Sequence, residues 1–142
     1  MSIIYRIVSS KDINALVGLM QELGYKVETN TLIHRLDNIK AQGGEVIVAE
    51  INNIVIGCIH ALIDIRLAEG KAGEIVSLVV SIDHRSSGVG KKLTLQAESW
   101  LKEKGCSKIR IRANELRTKA HNFYLSQGFI EVKKQKIFEK KI

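Results

Sequence analysis

The stretch that most restricts this chain is Ile75-Val76-Ser77-Leu78-Val79-Val80, apolar and β-branched enough to be a central strand. Polar, small residues from Asp83 to Gly90 follow at once. Beyond them, Val89, Leu93, Ala97, Trp100 and Leu101 fall on one face of a helix running from Val89 to Lys104, which Gly105 closes. A buried strand, a Gly/Ser loop and an amphipathic helix in succession form a cradle for a phosphate. Glycine and serine let main-chain N–H groups approach an anion, and the helix N-terminus adds unpaired donors and the positive end of its dipole. Lys91 and Lys92 add full charges. Two familiar phosphate loops are excluded. A Walker A loop needs glycine where Arg85 stands and Ser or Thr where Lys92 stands, and a dinucleotide GxGxxG lacks its third glycine at Leu93.

Elsewhere the pattern is that of one uninterrupted domain over residues 1–142, with no proline, repeat or Gly/Ser-rich linker. Ile3 to Val8 reads as a first strand. Ser9-Ser10 and Asp12 start a helix carrying Ile13, Leu16, Val17, Met20 and Leu23 on one face, and Gly24 stops it. A second helix is expected from Thr29 to Ala41. Glu45 to Ile51, the turn Asn52-Asn53 and Ile54 to Ile65 read as a hairpin. Lys71 to Gly73 bends the chain into the central strand Glu74 to Ser81. After the long helix come a strand from Lys108 to Ala113, a helix from Arg117 to Gln127, and a last hairpin from Phe129 to Lys140. The sum is an α/β (α+β) fold, a mixed sheet of about six to seven strands with helices on both faces.

Charge narrows the partners. The chain carries 22 Lys and Arg against 15 Asp and Glu, and ten basic residues against three acidic ones lie between Arg85 and Lys119. The excess therefore sits around the cradle, where it favours an anionic ligand. Nucleic acid is the competing partner for a basic chain, but aromatics are only 5% and no helix-turn-helix, RNP or zinc pattern is present. Neither nucleic acid nor membrane is expected as a partner. No apolar run reaches the roughly 18 residues of a membrane span. Residues 1–10 lack the marks of a secretory signal, so a cytoplasmic location is expected. Cys58 and Cys106 are far apart, without metal-ligand spacing, and are expected to be small buried hydrophobes rather than metal ligands.

Arg85-x-x-Gly88-x-Gly90, directly after Leu78-Val79-Val80, resembles the acetyl-CoA signature of the GNAT superfamily of N-acetyltransferases. Ala120-His121-Asn122-Phe123-Tyr124-Leu125-Ser126-Gln127-Gly128-Phe129 is similar to a second signature of that superfamily, a helix and turn with Phe-Tyr and Gly-Phe pairs. The resemblance implies the GNAT fold and acetyl-CoA as co-substrate. It further implies that Leu78, Val79 and Val80 pair their backbone with the pantetheine arm, while Ser86, Ser87, Gly88, Val89, Gly90 and Lys91 receive the pyrophosphate and Arg85 occupies the cofactor-side position that opens the loop. Asn122 is a further candidate for the cofactor side. Ile82 stands where the superfamily usually has proline, Ser86 where glycine is common, and Val76 where several relatives carry a carboxylate.

Acetyl transfer to an amine needs a neutral nucleophile, a donor for the tetrahedral oxyanion and a proton for the departing thiolate. By the resemblance, Tyr124 is the acid, the Val80 N–H the oxyanion donor, and Glu74 the base, with His60, a water chain or an amine that binds already neutral as alternatives. Glu22, Tyr25, Glu28, His34, His60 and Arg66 are candidates for the acceptor site. The expected acceptor is a primary amine of a small molecule, of the aminoalkylphosphonate, polyamine or aminoglycoside kind. A peptide N-terminal acetyltransferase and a catalytically silent coenzyme A sensor are the alternatives. Many members of the superfamily pair through C-terminal strands, which makes a homodimer possible.

Overall fold

The computed structural model describes residues 2–113 and 115–142. They fall into two compact units, Met1–Arg112 and Ala113–Ile142. The first holds strands β1 (Ile4–Ile7), β2 (Glu45–Ile51), β3 (Ile54–Arg66), β4 (Gly70–Val80) and β5 (Ile109–Ile111), with helices α1 (Ile13–Glu22), α2 (Thr29–Ala41) and α3 (Val89–Glu103). The second holds helix α4 (Thr118–Ser126).

The strands form one sheet in the order β1-β2-β3-β4-β5. The first four are antiparallel in succession, and β5 joins parallel to β4 after the α3 crossover. Asn52 and Asn53 make the β2–β3 turn with φ of 50° and 64°, the left-handed pair that matches the twist of a two-residue hairpin. Strand alternation sends side chains to both faces. Val46, Val48, Cys58 and Val79 meet Ile13, Leu16 and Leu19 of α1 and Leu32 and Leu36 of α2 on one face. Ile47, Ala49, Ile59, Ala61 and Ile75 meet Val89, Leu93, Ala97 and Leu101 of α3 on the other. Helices on both faces of a mixed sheet are therefore what the sequence led us to expect. Gly73 is required by this packing, since a Cβ there would lie 2.6 Å from a Leu101 methyl. Ile59, on the middle strand, has no exposed surface. Ile59→Val should therefore cost about 1 kcal/mol in a urea melt, and an unchanged midpoint would show that the core closes over the lost methyl.

Three expectations need correction. The sheet has five strands among the described residues, not six to seven. Residues 129–142 form no hairpin. Lys133, Lys134, Lys136, Lys140 and Lys141 would put like charges on both arms, and between Phe129 and Lys140 there is no Gly or Asn to turn on. The bend placed at Lys71 to Gly73 lies earlier, and these residues already pair with Asp64, Ile63 and Ile65 of β3. The glycine that turns the chain is Gly70, with φ of 78°.

Both cysteines are buried thiols, and burial pushes Cys58 up to about 12. No helix among the described residues is long and apolar enough to cross a membrane.

Candidate functional site

The site begins with an irregularity in β4. His60 of β3 faces Ser77, yet its neighbour Ala61 faces Ile75. Val76 is therefore an extra residue, a β-bulge, and it is 42% exposed. Bulges bend a strand and sharpen its twist. The β4–β5 ladder covers only Gly73, Glu74 and Ile75 and ends at this bulge. From Ser77 to Val80 the outer edge of β4 has no strand beside it among the described residues.

Which backbone groups line that edge follows from alternation. The Ser81 N–H donates to the Ile56 carbonyl at 2.7 Å. In an antiparallel pair every second residue turns its polar groups to the partner. Ser77 and Val79 thus serve β3, and Leu78 and Val80 present N–H and C=O to the open edge. The Val80 carbonyl accepts from Arg85 Nε at 3.0 Å, as a group facing away from β3 can.

The loop after β4 runs through a short turn into the start of α3. Ile82–His84 forms a single 3-10 turn. Ser86 has φ of 67° and Gly88 of 85°. Both are left-handed, a conformation that costs a residue with a Cβ about 1 kcal/mol and glycine little. Ser87 Oγ donates to the His84 carbonyl at 2.5 Å. Gly88 is the N-cap of α3 without a side-chain cap, so the first N–H groups of this 15-residue helix lack an intrahelical partner. Val89 is buried and anchors the helix start, while Lys91 and Lys92 are exposed. His84 Nδ1, on the same turn, is buried without a hydrogen-bond partner.

On the face of β3, β4 and β5 that carries Glu74, charges are paired. Arg110 donates to Asp64 Oδ2 at 3.2 Å and to Glu69 Oε2 at 2.8 Å. Arg66 donates to Asp64 Oδ2 at 2.7 Å. Glu74 is mostly buried, and its Oε1 lies 3.5 Å from Arg112 Nε without accepting a hydrogen bond. His60 is half-buried, and burial lowers its pKa below the ordinary imidazole value, which keeps it neutral at pH 7.

The sequence-predicted residues thus separate. Leu78, Val79, Val80, Arg85, Ser86, Ser87, Gly88, Val89, Gly90 and Lys91 form one continuous strand edge, loop and helix start. His60 lies on β3 opposite Ser77, and Glu74 lies in the stretch of β4 that β5 covers. Glu22 ends α1 and is engaged with the loop, its Oε1 accepting from the Ile82 N–H at 2.8 Å. Tyr25 is 64% exposed, and Glu28 and His34 are also exposed. Arg66 is held by Asp64, so its charge is largely spent. In the second unit, Asn122 is exposed on α4 and Tyr124 is half-buried. The Tyr124 ring makes edge contacts with Phe123 and Phe129, at 5.3 and 5.8 Å between centroids. Burial raises its pKa, partly offset by Arg117. Arg112, Arg110 and Asp64 escaped sequence reasoning. The alternation Arg110-x-Arg112 within a strand was the available signal, but nothing in the sequence says which strand faces it.

The sequence matches the model of the Acetyltransferase (GNAT) family over residues 13–129. Among solved structures, the aminoglycoside 6'-N-acetyltransferase AAC(6')-IG from Acinetobacter haemolyticus is 24% identical, with a TM-score of 0.84 over 100% of this chain and 99% of that one. The aminoglycoside N-acetyltransferase AAC(6')-Iy, solved with CoA, is 18% identical, with a TM-score of 0.89 over 99% of this chain and 96% of that one. A GNAT family acetyltransferase from Staphylococcus aureus is 24% identical, with a TM-score of 0.79 over the full length of both chains. At such identities the likeness concerns the fold. No curated protein matches the sequence.

Proposed function

Since the chain belongs to the GNAT acetyltransferase family, we propose that it moves an acetyl group from acetyl-CoA to a primary amine of a small molecule by direct transfer. The observation that carries this reading is the β4 edge left open by the bulge at Val76 and leading straight into the left-handed loop of Ser86 and Gly88. An extended amide-bearing arm can pair with Leu78 and Val80, and a pyrophosphate suits the N–H groups from Ser86 to Lys91 together with the Lys91 and Lys92 charges.

In the transfer, the amine nitrogen attacks the thioester carbonyl, the C–N bond forms and the C–S bond breaks. The Val80 N–H is the donor for the oxyanion. Glu74 or neutral His60 takes the amine proton, directly or through water, and Tyr124 protonates the leaving thiolate. Its raised pKa keeps the phenol protonated at neutral pH.

For the acceptor, the exposed Glu28 favours a cationic amine. Arg66, the residue that would have greeted a phosphonate, is neutralised by Asp64 and Glu69. That pairing supports polyamines and aminoglycosides over aminoalkylphosphonates in this reading, and aminoglycoside enzymes stand among the structural relatives.

Thiol release from acetyl-CoA should be measured against aminoglycosides, polyamines, aminoalkylphosphonates, amino acids and N-terminal peptides, with coenzyme A binding followed by calorimetry. Turnover on one cationic small-amine class is expected. Turnover on peptides alone would overturn the small-molecule reading. Tight binding with no turnover would favour a silent sensor, and no coenzyme A binding would overturn the reading of the loop.

A further inference from the structure

We propose that Glu22 is a positioning residue for the anion loop, bracing it through a backbone donor that exists because residue 82 is not a proline. The inference rests on the coenzyme A reading of the loop.

Glu22 is the last residue of α1, 60 residues before the loop it touches. Its Oε1 accepts the Ile82 N–H at 2.8 Å and lies 3.6 Å from Arg85 Nη2. Arg85 in turn donates from Nε to the Val80 carbonyl. One carboxylate therefore links α1 to both sides of the point where β4 becomes the loop. The Ile82 N–H opens the 3-10 turn Ile82–His84, and its N-cap residue Ser81 makes no side-chain cap. Glu22 supplies from a distant helix the acceptor that a local cap usually provides. Proline at position 82 would remove the donor, and the brace could not form.

The brace has two parts with opposite effects on an anion. The hydrogen bond orders the entry to the loop before ligand arrives, which spares ligand binding part of the ordering cost. The negative charge beside Arg85 competes with an anionic ligand for that guanidinium. Substitutions separate them. In Glu22→Ala both parts are lost. In Glu22→Gln the amide oxygen still accepts from Ile82 but the charge is gone. Ile82→Pro removes only the donor, at a position whose predecessor Ser81 already has the extended backbone (φ −49°, ψ 139°) that proline demands.

The test is steady-state kinetics and calorimetric coenzyme A binding on the full chain, with amide hydrogen exchange at Ile82 in the free protein. Glu22→Ala and Ile82→Pro should each raise KM for acetyl-CoA and Kd for coenzyme A by about three- to tenfold, the scale of an exposed charge-assisted hydrogen bond, with kcat changed less than about twofold. The double variant should be no worse than either single one, because both break the same bond. Glu22→Gln should bind coenzyme A at least as tightly as the parent and keep Ile82 protected, while Glu22→Ala loses that protection. Additive losses, an unchanged KM for acetyl-CoA in Glu22→Ala, or a change confined to KM for the amine would overturn the proposal. Failure of the parent to bind coenzyme A would overturn the reading of the loop and this role with it, whereas unprotected Ile82 in a parent that binds coenzyme A would overturn the brace alone.

Discussion

Replacing Tyr124 with phenylalanine is expected to lower kcat about 100-fold or more while leaving coenzyme A affinity within about threefold. The substitution removes one hydroxyl. The ring and its edge contacts with Phe123 and Phe129 remain, so α4 should keep its shape. What disappears is the hydroxyl we propose as proton donor for the thiolate leaving group, and a positioned general acid contributes about 10²- to 10⁴-fold. The pH profile adds an independent check. Burial raises the Tyr124 pKa, so loss of its proton should not limit the parent below about pH 10, the ordinary phenol value. Any alkaline fall in kcat above that point should be absent from the variant. On the acid side, burial lowers His60, so a limb belonging to His60 would lie below the usual imidazole value of about 6.5. Unchanged turnover at every pH would remove Tyr124 from the mechanism and leave solvent as the proton source.

Removing Arg6 should be the most damaging change to the fold outside the apolar core. Arg6 grips Asp12 with both terminal nitrogens at 2.8 Å and reaches Glu50 Oε1 at 3.1 Å. Asp12 is 3% exposed and Glu50 7%. Arg6→Ala leaves two buried carboxylates with no cation between them, and the Ser9 N–H, 2.8 Å from Asp12 Oδ2, cannot replace it. Breaking a buried pair in this way costs about 3–5 kcal/mol. The effect depends on pH with a definite sign. The Arg6 hydrogen bonds hold the Asp12 pKa below its ordinary value, and the Ser9 N–H assists. The stability gained is therefore present above the unfolded value of about 3.9 and is lost as pH falls through the folded one. Urea melts at pH 7 and pH 4 should show a large deficit at the first and a smaller one at the second, where the stranded carboxylates can take up protons. A deficit under about 1 kcal/mol at pH 7 would mean that water solvates them.

Much of this was legible in the sequence because it is written locally. The apolar spacing in Leu32, Leu36 and Ile39 fixed α2 to the residue, and the left-handed asparagine pair fixed the β2–β3 turn. The Ser9 to Asp12 start was also readable, although it forms a 3-10 turn ahead of α1. The loop from Ser86 to Lys91 could be read because glycine and serine announce a backbone conformation by their own chemistry. The last hairpin failed for the opposite reason. Alternating apolar residues such as Ile130 and Val132 describe a strand only if another strand accepts it, and periodicity does not say whether one does.

The sequence by itself determined the Gly/Ser loop between β4 and α3, the helices that cover the sheet, and the family, since each depends on residues close together in the chain. Only the tertiary structure decided where the sheet opens, because the bulge at Val76 is a mismatch of count between β3 and β4 and exists in neither strand alone. It likewise decided that Arg66 is spent on Asp64, and that Glu22 serves the loop. A charge carries no mark of its partner in the sequence. Which carboxylate it meets is settled by strand register and helix packing, and these depend on burying the apolar faces of the whole sheet at once.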